Sequence, residues 1–289
     1  MEAAMIVVTG ATGRLGRFVI DGLLKKVPAN QVAVVARNPD KARDWAARGV
    51  QVRKADYSHP ETWDGVFSKG DTVLLISSSE VGQRRKQHQT VVDAAKKAGV
   101  KLLAYTSILH ADTSRIVLAP EHLDTEKAIR TSGLLFVFLR HSWYLENYTE
   151  AAKRTLEQGV LRGCAKDGRV APATRQDYAD AAVAVLTGTG HENQVYELAG
   201  DTGFTLQEYV AELSRQSGRT VTYQDLPPSD FASALMQAGL PKGYADVLAN
   251  ADEGIARGDL NDTGRTLSRL ISRPTTTLAE ALAATLKQA

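Results

Sequence analysis

Short apolar runs recur through the first half of the chain, at 5–9, 31–36, 50–53, 72–77, 101–106 and 134–139, with polar, helically spaced segments between them. Continuous apolar runs of this length predict strands covered on both faces. Leu15, Phe18, Val19, Gly22 and Leu23 fall at i, i+3, i+4, i+7 and i+8, one stripe of an amphipathic helix. Pro39 and Pro60 occupy the favoured first-turn place and predict the starts of a second and a third helix. A fourth helix is predicted over 84–98, closed by Gly99, and a fifth over 121–131, closed by Gly133. Strands alternating with helices predict a parallel, doubly wound α/β sheet with right-handed crossovers.

After about residue 140 the rhythm changes. Helices are predicted over 144–158, 175–187, 206–217, 229–238, 241–257 and 275–287, and strands over 160–164, 194–198 and 220–224. Pro227-Pro228, Gly239-Leu240-Pro241 and Arg273-Pro274 mark turns. The expected division is a nucleotide-binding domain over 1–140 and a smaller, mostly helical lobe over 141–289, some segments of which return to the sheet. Such a lobe is expected to cap the carboxyl ends of the strands, where open α/β sheets bind ligands.

Composition narrows the setting more than the chemistry. The chain has 289 residues and a net charge of +2, with no block of Lys and Arg to suggest nucleic acid or a membrane surface. Arg84-Arg85-Lys86 is the densest basic cluster and reads as a solvated helix start. Cys164 is the only cysteine, which excludes an internal disulfide and fits a reducing compartment. No apolar run approaches the roughly 20 residues of a membrane-spanning helix. Met1 to Ala4 read as a short leader and no signal peptide precedes Met5, so the expected location is cytoplasmic.

The candidate chemistry begins where the first strand ends. Ile6-Val7-Val8-Thr9-Gly10-Ala11-Thr12-Gly13-Arg14-Leu15-Gly16 runs from an apolar strand through three glycines into a helix. Gly10 permits a tight turn, Gly13 lets the backbone approach a pyrophosphate, and Gly16 lets the helix pack on the strand. The helix start then offers N–H groups and a positive dipole end to an anion. The spacing is G-x-x-G-x-x-G rather than G-x-G-x-x-G, and Arg17-Phe18 stands where a P-loop needs Lys-Ser/Thr. This predicts a Rossmann-like fold in which Gly10, Thr12, Gly13, Arg14 and Leu15 bind a dinucleotide cofactor.

The end of the second strand, about 20 residues past the glycine loop, is where the adenosine ribose lies. An NAD enzyme places a carboxylate there, whereas this chain has Ala36-Arg37, with Arg14 in the loop itself. Guanidinium groups suit a 2′-phosphate, and one charge-assisted contact is worth roughly 1.5–3 kcal/mol. NADPH is therefore the expected cofactor, the alternative being that Arg37 is an ordinary surface charge. Asp56 and Tyr57 follow the third strand and are candidates for the adenine amino group and ring, with a plain turn the alternative for Asp56. Ser77, Ser78 and Ser79 follow the fourth strand, small enough to leave room for the cofactor and able to bond its ribose. A polar turn without contact is their alternative.

These segments resemble a known family. Thr9 to Gly16 together with Ala36-Arg37-Asn38-Pro39 resembles the atypical short-chain dehydrogenases of the NmrA-like group. The likeness is closer still to its bacterial NADPH-dependent quinone oxidoreductases, through Ile76 to Arg84, Ala104 to Ser114, Val195 to Asp201 and Pro274 to Glu280. Triphenylmethane reductase is a near relative, most similar around His122 to Arg140. The resemblance implies NADPH at the glycine loop, Arg37, the serine run and the strand end Thr106-Ser107. It also implies a flat aromatic substrate such as a quinone over the nicotinamide.

Most short-chain dehydrogenases use Tyr-x-x-x-Lys as acid and ribose anchor. None of the nine tyrosines here has Lys four residues on. Lys127 has Leu123 in the place of that Tyr; it remains a candidate for the nicotinamide ribose, as in NmrA-like relatives, or a solvated helix lysine. The missing phenol points to the acceptor. A reduced ketone is a strongly basic alkoxide, whereas a reduced quinone spreads its charge over the ring, so general-acid help of roughly 10²–10⁴ becomes dispensable. Orientation of two flat rings is then the main contribution. Trp143 and Tyr144, after the sixth strand, are candidates to shape the ring pocket, with core packing as the alternative. His110, after the fifth, is a candidate donor to a quinone oxygen or a loop residue without a role. The expected function is NADPH-dependent quinone reduction by direct hydride transfer without flavin, with Lys127, His110 and Tyr144 as catalytic candidates and no metal. The rivals are an NADP(H)-binding redox sensor without turnover and a reductase or oxygenase acting on another polycyclic aromatic, a dye or a polyketide anthrone. The partner is a small aromatic or quinone substrate, with no nucleic acid and no membrane. A homodimer stays open as an alternative to a monomer.

Overall fold

The computed structural model describes residues 4–287, so the expected leader lies outside the described residues except for Ala4. The elements follow in the order β1 (Ile6–Val8), α1 (Arg14–Leu23), β2 (Val32–Ala36), α2 (Arg43–Ala47), β3 (Gln51–Lys54), β4 (Thr72–Leu75), α3 (Arg84–Ala98), β5 (Leu102–Ile108), α4 (Ala119–Ser132) and β6 (Phe136–His141). Then come α5 (Glu146–Thr149), α6 (Ala152–Gln158), β7 (Val160–Gly163), α7 (Arg175–Thr187), β8 (Gln194–Leu198), α8 (Leu206–Ser217), β9 (Thr222–Asp225), α9 (Pro228–Gln237), α10 (Lys242–Arg257), α11 (Thr266–Ile271) and α12 (Leu278–Leu286).

The chain forms two compact units. The first holds the residues up to Ala111, Pro120–His141 and Arg175–Tyr196; the second holds Asp112–Ala119, Ser142–Thr174 and the residues from Glu197 onward. The single boundary expected at 140/141 is therefore crossed in both directions. Helix α7, expected in the smaller lobe, packs on α1 in the first unit, where a Cβ on Gly22 would lie 2.9 Å from Val183 Cγ2. Its apolar stripe showed that α7 is covered, not which element covers it.

The first unit is built on a seven-stranded sheet in the order β3-β2-β1-β4-β5-β6-β8, and the pairs among its first six strands are parallel. Every residue of β2, β5 and β6 is buried, as strands between two helical layers must be. The order steps outward from β1 toward β2 on one side and β4 on the other. The carboxyl end of β1 is thus the topological switch point, where such sheets bind ligands. In the second unit β7 and β9 form a parallel pair, and Phe231, Ala232 and Cys164 make part of a small core with Ala249.

Local departures from expectation have local causes. The third helix is a single 3₁₀ turn, Pro60–Trp63, because Asp64 turns extended and Gly65 takes φ +71°. The predicted 144–158 helix breaks into α5 and α6 where Ala151 N–H bonds back to Tyr148 O, an i−3 rather than i−4 partner. Helix α11 was not expected. The last helix begins at Leu278 rather than 275, set by a capping box in which Thr277 and Glu280 bond each other's backbone N–H. Among the described residues no helix is long and apolar enough to cross a membrane.

Candidate functional site

The glycine loop sits at the switch point and each glycine has a distinct task. Gly10 adopts φ +62°, and its missing Cβ would stand 3.3 Å from Ile76 Cβ. Gly13 is the N-cap of α1; its N–H donates to Gly10 O at 3.0 Å, and no side chain caps the helix. Gly16 has no room at all: a Cβ there would lie 2.6 Å from Gly10 O, Ala11 O and Ala11 Cα. The helix thus closes on the loop itself, which refines the expected contact with the strand. No acidic residue stands in the first turn of α1, and helix geometry leaves the leading N–H groups without intrahelical acceptors. Leu15 turns its side chain into the core, so only its backbone is available to a ligand, while Arg14 and Thr12 stay accessible.

Around the loop the strand ends form a platform. Arg37 follows β2 directly, exposed, with Nη1 3.2 Å from Glu80 Oε1. Tyr57 stands beneath the loop: its hydroxyl lies 2.5 Å from Thr9 Oγ1 and donates to Ile76 O at 2.9 Å, tying the ends of β1 and β4 together. Its ring stacks on Trp63 at 5.7 Å, and burial pushes its phenol upward in pKa. The structure thus gives Tyr57 a bracing task that its sequence position did not reveal. Asp56 Oδ1 accepts from Ser58 N–H at 2.9 Å, so the carboxylate stabilises its own turn.

The serine run is held from below at successive residues. Ser77 N–H donates to Thr106 Oγ1 at 2.9 Å, and Ser78 N–H to Nε2 of His88, also at 2.9 Å. Arg84 Nε donates to Ser78 O at 2.6 Å, and Gly82 N–H to Glu121 Oε1 at 2.9 Å. Ser79 is exposed. These anchors belong to a buried polar layer between β5, α3 and α4. Nδ1 of His88 meets Thr125 Oγ1, whose own proton goes to Glu121 O. His88 therefore carries its proton on Nδ1 and accepts at Nε2. Burial, aided by Arg84, pushes its pKa down to about 3 and keeps it neutral. The Tyr105 hydroxyl is 2.7 Å from Nδ1 of His122, and Ser107 Oγ donates to Glu126 Oε1 at 2.7 Å. Glu126 in turn takes two bonds from Arg140, at 2.9 and 2.7 Å.

None of His88, His122, Glu126 and Arg140 was singled out from sequence, and Arg84, expected to be a solvated charge at a helix start, is buried and committed to Ser78 O. The available signal was their helical phase: His88 shares the buried face of α3 with Val91, Val92 and Ala95. The same phase sets where Lys127 lies. The side chains that α4 sends to β5 are His122 and Glu126, and Lys127, one step on from Glu126, is exposed.

His110 adopts φ +52° in the turn after β5 and is partly exposed. Trp143 and Tyr144 belong to the second unit. Both rings are partly exposed, and their backbone is pinned: Trp143 O accepts from Ala173 N–H at 3.1 Å, and Leu145 N–H donates to Ala173 O at 2.9 Å. Burial pushes the phenols of Tyr57, Tyr105, Tyr148 and Tyr209 upward in pKa.

The residues present fit a dinucleotide's phosphates. A backbone cradle without room for side chains, an uncapped helix start and an accessible guanidinium at the end of β2 are what such a group requires. The chain is 54% identical over 278 residues to Quinone oxidoreductase 2 of Escherichia coli (strain K12), covering 96% of this chain and 97% of that protein. It superposes with a TM-score of 0.96 on the crystal structure of the E. coli NADPH-dependent quinone oxidoreductase complexed with NADPH, at 53% identity over 98% of this chain and 100% of that one. It also matches Citrobacter sp. triphenylmethane reductase complexed with NADP(H), with a TM-score of 0.93 and 38% identity over 97% and 99% of the two chains. The family model described as NmrA-like family matches residues 2–283, and the chain belongs to that family.

Proposed function

We propose that the protein is an NADPH-dependent quinone reductase that needs neither flavin nor a dedicated proton-donating side chain. The observation that carries this reading is the 54% identity, over nearly the whole of both chains, to Quinone oxidoreductase 2. The cradle at the switch point supports it independently. Bound NADPH supplies the hydride. The backbone N–H groups of Arg14 and Leu15 would hold the pyrophosphate at the positive end of α1, in a loop shaped by the Gly13 N–H to Gly10 O bond. Arg37 pairs with the 2′-phosphate. Ser77 presents its hydroxyl for the nicotinamide ribose, and buried Thr106, whose Oγ1 accepts from Ser77 N–H, supports it from below.

Ser107 is committed to Glu126 and serves as a support of the strand end. Lys127, exposed on α4, is assigned to the nicotinamide ribose. Trp143 and Tyr144 are assigned to the aromatic acceptor, and His110 to its oxygen. The chain has no Tyr-x-x-x-Lys acid, which suits an acceptor whose reduced form is a weak base. A single, buried cysteine accords with a cytoplasmic setting.

The test is steady-state oxidation of NADPH by flavin-free protein with benzoquinone. Turnover with a clear preference for NADPH over NADH is expected, and tight NADPH binding without turnover would instead favour a sensor. The match to triphenylmethane reductase gives a dye acceptor a specific claim, so a triphenylmethane dye belongs in the same assay.

A further inference from the structure

Glu80 sits in the middle of the 2′-phosphate site. Its Oε1 lies 3.2 Å from Arg37 Nη1, the guanidinium assigned to that phosphate. The carboxylate is held there on purpose-built contacts. Its Oε2 accepts from Gln87 Nε2 at 2.8 Å, and its N–H donates to Ser78 Oγ at 3.1 Å. Gln87 is itself buried, with Nε2 also reaching Ser58 Oγ at 3.0 Å. One oxygen of Glu80 is thus fixed by a buried amide while the other faces Arg37. A carboxylate in this place does two things to an arriving phosphate. It occupies the guanidinium the phosphate needs, and it sets a like charge beside a dianion.

We propose that Glu80 is a specificity-determining residue that stands in for the 2′-phosphate on Arg37 and lowers the preference for NADPH over NADH. The inference rests on the reading that Arg37 binds the 2′-phosphate. Both side chains are substantially exposed, 69% and 45%, so the pair itself is weak and yields readily to the ligand. A cofactor without the 2′-phosphate leaves the Glu80–Arg37 pair in place and meets neither effect.

The experiment is fluorescence titration of NADPH and NADH against the wild type, Glu80→Gln, Arg37→Ala and the double variant, with Tm in the absence of ligand to confirm folding. Gln keeps the polar side chain and removes the charge. Glu80→Gln is expected to tighten NADPH by about three- to tenfold, as removal of an exposed competing pair and one like charge allows, and to leave NADH within about twofold. The gain should shrink in the Arg37→Ala background, where there is no guanidinium to release. If Glu80→Gln leaves NADPH unchanged or weakens it while Arg37→Ala weakens NADPH, the role of Glu80 is overturned and the phosphate assignment stands. If Arg37→Ala leaves NADPH binding unchanged, the assignment of Arg37 itself fails.

Discussion

Gly16 makes the sharpest single-residue test of the cradle. A Cβ there meets three backbone atoms at 2.6 Å, none of which is the end of a flexible side chain. Gly16→Ala should cost about 1–3 kcal/mol or more in stability, visible as a lower Tm, and should weaken NADPH binding because loop and helix cannot both keep their places. Gly65→Ala is a useful contrast: this glycine takes φ +71° but has open space around it and lies outside the loop. Its loss of stability should come without loss of NADPH affinity. At the end of β2, Arg37→Ala should weaken NADPH by about ten- to a hundredfold and leave NADH nearly unchanged in direct titration. Both glycine and arginine were legible in the sequence because their meaning is local, a spacing after a strand and a count to the next strand end. Glu80 was not legible in its role, since it reaches Arg37 across 43 residues of chain and only the folded sheet places them together.

At the scale of elements, α3 and α4 do more than cover the sheet. They bring a buried polar layer under the serine run, and that layer makes an acid liability. His88 and His141 have native pKa values pushed down to about 3 by burial, and His122 is also held well below its ordinary value of 6.5. In the unfolded chain these imidazoles take up protons below pH 6.5, while the native state resists until about pH 3. Each therefore removes stability as pH falls through that window, at roughly 1.4 kcal/mol per pH unit. Asp252, raised to about 7 by burial, acts in the opposite sense between pH 3.8 and 7, because its native form keeps a proton that the unfolded chain releases. Three histidines against one aspartate leave a net loss, so urea-unfolding free energies should fall between pH 6.5 and 4. In His88→Gln the slope should flatten by about one proton. The Glu126–Arg140 pair is buried on both sides, 2% and 6% exposed. Glu126→Ala should therefore destabilise by about 3–5 kcal/mol in the same measurement. These helices were readable as helices from periodicity and caps. Their polar inner face was not, because a histidine or glutamate at an inward position looks like a solvated residue until its partner on another element is known. The contrast of Glu126 with Lys127 shows how one step of helical phase, 100° of rotation, separates a buried support from a solvated charge.

At the scale of the molecule, the alternation of apolar runs and helices was sufficient to give the parallel sheet, since strands covered on both faces need helices on both sides. Which of the segments after residue 140 return to the sheet was not legible. Periodicity reports that α7 is covered, and only long-range packing decides that its cover is α1. The absence of Tyr-x-x-x-Lys was plain in the sequence. The central claim is that this chain passes a hydride from NADPH to a flat, electron-poor acceptor with no flavin and no enzymic acid. The most direct measurement is single-turnover oxidation of NADPH deuterated in turn on each face of C4, by flavin-free protein with benzoquinone, across pH 5 to 9. The account predicts a primary isotope effect from one face only and a rate that shows no ionisation of an essential acid. A rate that falls with the deprotonation of one side chain and is abolished by its removal, or turnover that appears only on adding flavin, would contradict it.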